Sequence, residues 1–306
     1  MLTTLAFLAT LASGPVETPV TLPSEPAPLQ GTMLAPEGET RAVAVIIAGS
    51  GPTDRDGNSP LGVNAATYRL LAEGLAEQGI ATVRYDKRGI AGSAAAATAE
   101  ADLRFGQMAD DAAGWARLAA ATTGRECAWL IGHSEGALVA EVAARNAEGI
   151  CGLVLLAGAG RPAGVVIREQ LASVPEPLKT EAFAALSELE AGRTTQGPPA
   201  LAALFRASVQ PYLISWLPLD PAELLATYPG PVLIGQGTTD LQVGMADAEA
   251  LATARPDATL ARWDGVNHLL KIAPADRAAN IATYADPALP LAPGVVETVA
   301  TFILGH

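Results

Sequence analysis

Gly132-His133-Ser134-Glu135-Gly136 constrains this chain more than any other stretch. It is a G-x-S-x-G motif with a short apolar run, Cys127-Ala128-Trp129-Leu130-Ile131, on one side. On the other side is Ala137-Leu138-Val139-Ala140-Glu141-Val142-Ala143-Ala144. The first run reads as a buried strand and the second as a helix. A strand that turns sharply into a helix lifts the intervening serine hydroxyl above the end of a parallel sheet. The two glycines relieve the crowding of such a turn.

The rest of the chain supplies that sheet. Apolar runs at 29–34, 42–47, 80–85, 152–156, 232–236 and 259–263 read as strands, and 65–78, 106–121, 246–254 and 295–304 as helices. Strands alternating with helices predict an α/β fold with a mostly parallel sheet and helices on both faces. No repeat is present. Residues 161–230 break the rhythm. Helical patterns at 165–172, 177–191, 199–207 and 221–226 are separated by Pro, Gly and Thr, with no convincing strand. The expected organisation is an N-terminal Pro-rich segment (1–28), a core (29–160 and 231–306) and a helical lid insertion (161–230). The lid's Tyr212, Leu213, Ile214, Trp216 and Leu217 are candidates for an apolar pocket over Ser134.

A serine hydroxyl needs a general base. The chain has three histidines, His133, His268 and His306. His133 adjoins the serine and should point away from the hydroxyl's working side, though it remains a candidate pocket residue. His306 is terminal and expected to be mobile. His268 is left as the base. The chain order that goes with such an elbow places a carboxylate between serine and histidine. Asp240 follows the apolar run 232–236 and a Gly-rich turn, where sites of open α/β sheets collect; Asp257 and Asp264 are its rivals. For an oxyanion hole the amide of Glu135 is one donor. The second lies in the small-residue loop after the strand at 42–47, at Ser50 or its neighbour Gly51. Asp54, Arg55 and Asp56 read as a mutually paired loop at the site entrance. Arg88 reads as a structural ion-pair partner, with a substrate carboxylate as the alternative.

The chain resembles the α/β-hydrolase superfamily, and within it the bacterial esterase and serine-aminopeptidase-like branch. The resemblance rests on AGSGPTDRDGN at 48–58, RYDKRGIAGS at 84–93, GHSEG at 132–136, SVQPYLISW at 208–216, GTTDLQV at 237–243 and NHLLK at 267–271. It implies Ser134 as nucleophile, Asp240 as acid and His268 as base. Where the family usually has His-Gly before the oxyanion loop, this chain has Ala48-Gly49. The implied activity is hydrolysis of carboxylic esters with small to medium acyl groups through an acyl-enzyme. Aminopeptidase and thioesterase action on the same three residues, and a silent binding protein on the same scaffold, are the alternatives.

Composition narrows the partners. Half of the residues are hydrophobic and 17% are charged, so a large core is feasible. A net charge of −13, from 32 acidic and 19 basic side chains, opposes binding to nucleic acid or anionic lipid. The expected partner is a small-molecule ester; no stable membrane anchor, metal or cofactor is expected. The apolar stretch at 1–14 ends in small residues, like a secretory signal, but lacks a basic n-region. It predicts a periplasmic or secreted protein, with a cytoplasmic one as the alternative. Cys127 and Cys151 begin neighbouring strands and could form a disulfide or remain two buried thiols.

Overall fold

The computed structural model describes residues 14–146 and 148–306. The apolar first stretch therefore lies outside the described residues, apart from Gly14. Among the described residues no helix is long and apolar enough to cross a membrane.

In chain order, β1 (Val16–Leu22), β2 (Leu29–Ala35) and β3 (Ala42–Ile47) lead to a small hairpin of β4 (Asn58–Ser59) and β5 (Val63–Asn64). Helix α1 (Thr67–Glu77), β6 (Ile80–Tyr85), α2 (Phe105–Thr123), β7 (Ala128–His133), α3 (Glu135–Asn146) and β8 (Ile150–Leu156) follow. Five helices come next: α4 (Ala163–Gln170), α5 (Leu178–Glu190), α6 (Ala202–Phe205), α7 (Gln210–Trp216) and α8 (Pro221–Ala226). The chain returns to the sheet with β9 (Val232–Gly237), α9 (Met245–Ala254) and β10 (Thr259–Trp263), then ends in α10 (Arg277–Ala282) and α11 (Val295–Gly305).

Eight strands form one sheet in the order β1-β2-β6-β3-β7-β8-β9-β10. β1–β2 and β2–β6 are antiparallel pairs, and all later neighbours are parallel. The alternation read from the sequence thus gives the expected α/β sheet, with two antiparallel strands at one edge. β6, β7 and β9 are buried throughout, as strands covered on both faces must be.

Side chains alternate between two cores. Val43, Val45, Ile47, Leu130, Leu153 and Leu155 face α2 and α3, with Phe105 and Trp115 fully buried among them. Ala44, Ile46, Trp129, Ile131, Val154 and Leu156 face α1 and α11, against Leu71, Leu75, Val299 and Phe302. This period of two places the parallel strand ends along one edge, and β7 lies inside the sheet with its carboxyl end opening onto Ser134.

Besides the two-residue strands β4 and β5, three elements were not legible as elements. β1 is exposed along most of its length and contains Pro19, which an edge strand tolerates. Helix α7 has Pro211 in its first turn, and α10 is a short, mostly exposed segment. Cys127 and Cys151 are joined in a disulfide, with Cα atoms 5.3 Å apart.

Candidate functional site

Ser134 occupies the turn between β7 and α3 with φ 56°, in the left-handed region. Its amide donates to the Leu156 carbonyl at 2.9 Å, which locks the turn to β8. The glycines are required sterically. A Cβ on Gly132 would lie 2.2 Å from the Gly136 carbonyl oxygen, and one on Gly136 would lie 2.3 Å from that of Ile47. The sequence motif therefore folds as the strained strand-to-helix elbow it predicts.

His268 reaches the same place from the loop after β10. Its Nδ1 lies 2.8 Å from Asp240 Oδ2, and both side chains are nearly inaccessible. Asp240 stands in the loop after β9, and its Oδ1 accepts the amides of Gln242 (2.7 Å) and Val243 (3.0 Å). Burial raises the Asp240 pKa, but the His268 ring and these amides outweigh it and hold the carboxyl below its ordinary value. An ionised carboxylate at Oδ2 makes Nδ1 the protonated nitrogen and leaves Nε2 able to accept a proton. Ser134 and His268 line one cavity of about 170 Å³, together with Gly49, Ser50 and Gly51. The rival acids are elsewhere: Asp257 pairs with Arg255, and Asp264 is exposed beside Arg262.

The histidine loop is itself built in. Asn267 is buried, and its Oδ1 accepts the amides of Leu269 and Lys271 at 3.0 and 3.1 Å. Buried Lys271 donates to the Leu289 carbonyl. Thr67 at the start of α1 donates to the Leu269 carbonyl at 3.2 Å.

Of the oxyanion candidates, Ser50 and Gly51 line this cavity, while Glu135 joins them only in the wall of a larger one. Glu135 begins α3, where helix amides point outward without intrahelical partners. Ser50 and Gly51 stand in the loop after β3, with Gly51 at φ 72°. The pin of this loop is Lys87, which sequence reasoning missed. Its buried ammonium donates to the Gly49 carbonyl and, at 2.8 Å, to that of Gly51. Burial pushes the Lys87 pKa down, opposed by the nearby Glu135 carboxylate. Burial likewise raises the Glu135 pKa, against Lys87 and the Tyr212 hydroxyl, which donates to Glu135 Oε1 at 2.8 Å.

A larger cavity of about 500 Å³ shares the Ser50–Gly51–Pro52 wall with the smaller one. Glu135, Lys87, Val139, Met108 and the α7 side chains Tyr212, Leu213 and Trp216 line it. Leu217 does not: it is buried in the core beneath α7, and Ile214 packs on that core as well. Tyr212, Leu213 and Trp216 reach this cavity from one face of α7, whereas Ser134 and His268 line the smaller one, with the Ser50–Gly51–Pro52 wall between them.

His133 lies beside His268, with the two ring centroids 4.8 Å apart. Its ring is buried, with Nδ1 2.9 Å from the Tyr68 hydroxyl and Nε2 2.7 Å from the His268 carbonyl. Burial lowers its pKa to about 3, helped by the neighbouring His268. It forms part of the cavity wall, but both ring nitrogens are already engaged.

Two sequence readings need correction. Asp54, Arg55 and Asp56 do not pair with one another: Arg55 binds Asp86, Asp56 binds Arg84, and Asp54 accepts the amides of Asp56 and Asn58. Arg84 is buried and needed two carboxylates, Asp56 and Glu17. His306 is not loose: its Nδ1 bonds the Phe302 carbonyl at 2.9 Å and its ring lies 4.5 Å from that of Phe302. Arg88 does pair structurally, with both oxygens of Asp111 at 2.7 Å.

The overall fold matches known structures. The esterase domain of a Rhodothermus marinus protein aligns with a TM-score of 0.58 at 18% identity, over 95% of this chain and 98% of that one. Est1E from Butyrivibrio proteoclasticus gives 0.58 at 18% identity, over 94% and 98%. Dienelactone hydrolase from Anabaena variabilis gives 0.56 at 18% identity, over 96% and 99%. The chain has the α/β-hydrolase fold. A family model described as serine aminopeptidase, S33, matches residues 61–204 of this chain. No curated protein matches the chain.

Proposed function

We propose that this α/β-hydrolase is a serine hydrolase that cleaves carboxylic esters of small to medium acyl groups. The observation that carries the reading is the strained Ser134 elbow opening onto the same cavity as His268, whose ring is fixed by Asp240. In this reading His268 Nε2 takes the proton of the Ser134 hydroxyl as Oγ attacks the ester carbonyl. The Ser50 and Glu135 amides receive the oxyanion of the tetrahedral intermediate. His268 returns the proton to the leaving alcohol. Water, deprotonated by the same ring, then releases the acid from the acyl-enzyme.

The largely apolar cavity behind Ser50 suits an uncharged acyl group, and its size is that of a small-ligand pocket. Residues 161–230, with α7 over this cavity, serve as its lid. Aminopeptidase action would want a free carboxylate there for the substrate amine. Of the acids on α5, Glu188 is bound to Arg193 and Glu190 to Arg168, and Glu181 does not line the cavity; Glu100, Asp111 and Glu135, which do line it, are engaged by Arg206, Arg88 and Tyr212. That observation favours esters. The disulfide supports an oxidising compartment and hence export. The negative charge supports a free small molecule as partner rather than nucleic acid or an anionic membrane.

Hydrolysis of p-nitrophenyl esters from acetate to palmitate, beside aminoacyl-p-nitroanilides, tests this. Turnover of the short and medium esters, abolished in Ser134→Ala, is expected. Anilide cleavage in preference to esters, or full activity of Ser134→Ala, overturns it.

A further inference from the structure

Tyr68 and His133 lie outside the reaction just described, yet they join its two halves. The Gly49 amide donates to the Tyr68 hydroxyl oxygen at 3.0 Å. The same hydroxyl lies 2.9 Å from His133 Nδ1, and His133 Nε2 lies 2.7 Å from the backbone carbonyl of His268. Tyr68 and His133 are each only 4% exposed. A carbonyl can only accept, so His133 Nε2 must carry a proton. In a neutral ring Nδ1 then has only a lone pair, so the Tyr68 hydroxyl must donate to it. That hydroxyl's oxygen is left to accept from Gly49. Every donor in the chain has one acceptor, and the direction is fixed from end to end.

We propose that Tyr68 and His133 are positioning residues that hold the oxyanion loop and the general-base loop in one frame. This rests on the serine-hydrolase reading above. One end of the bonded chain is Gly49, next to the proposed oxyanion donor Ser50. The other end is the backbone of His268 itself. The linked residues come from the loop after β3, α1, the end of β7 and the loop after β10, so no local turn fixes their spacing. A rigid link between them is what alignment of a developing oxyanion with its proton acceptor requires. Burial keeps the His133 ring neutral and the Tyr68 hydroxyl protonated, the states this bonding direction demands.

The test is Tyr68→Phe in the full chain, assayed on p-nitrophenyl butyrate and with a boronic-acid transition-state analogue. The expected result is a fall in kcat of roughly tenfold to a hundredfold, with KM within about twofold, from misplacement of the oxyanion amide. Analogue affinity should fall with kcat. His133→Leu cuts the same chain independently and should behave alike. If Ser134→Ala is inactive while both variants keep kcat within about twofold, the positioning role is overturned and the hydrolase reading stands; an active Ser134→Ala overturns the hydrolase reading instead. Should neither variant fold, ¹⁵N-histidine spectra of the wild type decide. A neutral His133 with its proton on Nε2 supports the chain of bonds, and a proton on Nδ1 overturns it.

Discussion

Glu141 shows how much a single side chain in this fold can work against stability. It lies on α3, seven residues after the serine, 4% exposed, and neither carboxyl oxygen has a hydrogen-bond partner. Burial raises its pKa well above the ordinary value, and Asp220 at the start of α8 adds to the effect. A raised carboxyl pKa means that the neutral form is favoured in the fold. Its stabilising share is complete below the ordinary value of 4.5 and is lost as pH rises. Replacing Glu141 by Met removes the buried polar group at similar volume. The expected gain is about 1–3 kcal/mol at pH 8, shrinking toward pH 4.5. Urea titrations at the two pH values measure it, and a destabilised Glu141→Met at pH 8 would refute this account. The glycine at 132 is the opposite case. Gly132→Ala drives a Cβ into the Gly136 backbone, and backbone cannot swing aside as a side chain can. Loss of about 1–3 kcal/mol or more is expected, together with loss of the proposed ester hydrolysis, because the elbow and the serine move together. A thermal melt and the butyrate assay on the same sample check both.

At the level of elements, the legible parts were those that physics marks in short windows. Buried parallel strands read as apolar runs, and six of them fell within two residues of their observed ends. The placement of Ser134 on its elbow and of Asp240 beside His268 was also readable, because three histidines left few candidates for a base and the sheet order few for an acid. What escaped were contacts between distant residues. Lys87 reaches carbonyls 36 and 38 positions away, and Tyr68 meets a ring 65 positions away. Nothing in a window around Lys87 or Tyr68 says where that side chain will be buried. The cysteines fall between the two cases. Their placement at the starts of β7 and β8 made a bridge possible, and the sheet register made it real. The bridge closes a segment of sequence separation 24 containing all of α3. Chain-entropy reasoning gives such a loop about 3 kcal/mol of stabilisation. Cys127 and Ser134 lie at opposite ends of β7, about 20 Å apart at roughly 3.3 Å per residue. Cys127→Ala/Cys151→Ala should therefore lower the melting temperature while leaving kcat at 25 °C within about twofold. A kcat loss exceeding the loss of folded protein would contradict that separation.

For the molecule as a whole, acidification pulls in two directions. The chain carries −13 at pH 7 and approaches neutrality near its isoelectric point of about 4.6, so general self-repulsion relaxes as pH falls. His133 opposes this trend. It is neutral in the fold down to about 3, whereas in the unfolded chain it takes up a proton near its ordinary 6.5. Between those values the unfolded state binds one proton more, so His133's share of stability is full above 6.5 and declines as pH drops. The slope for one such group is at most about 1.4 kcal/mol per pH unit. Asp240, held below its ordinary value of 3.8, adds the same sign only at still lower pH. Glu135 and Glu141, both raised, act in the other sense. The bulk pH profile therefore mixes opposing terms, but a difference profile isolates one of them. Unfolding free energies of the wild type minus those of His133→Gln, measured from pH 7 to pH 4, cancel the shared carboxylates and the global charge. The difference should fall with decreasing pH, by about 1.4 kcal/mol per unit at the steepest. A flat difference would mean that His133 protonates freely in the folded protein, which its two buried hydrogen bonds do not permit.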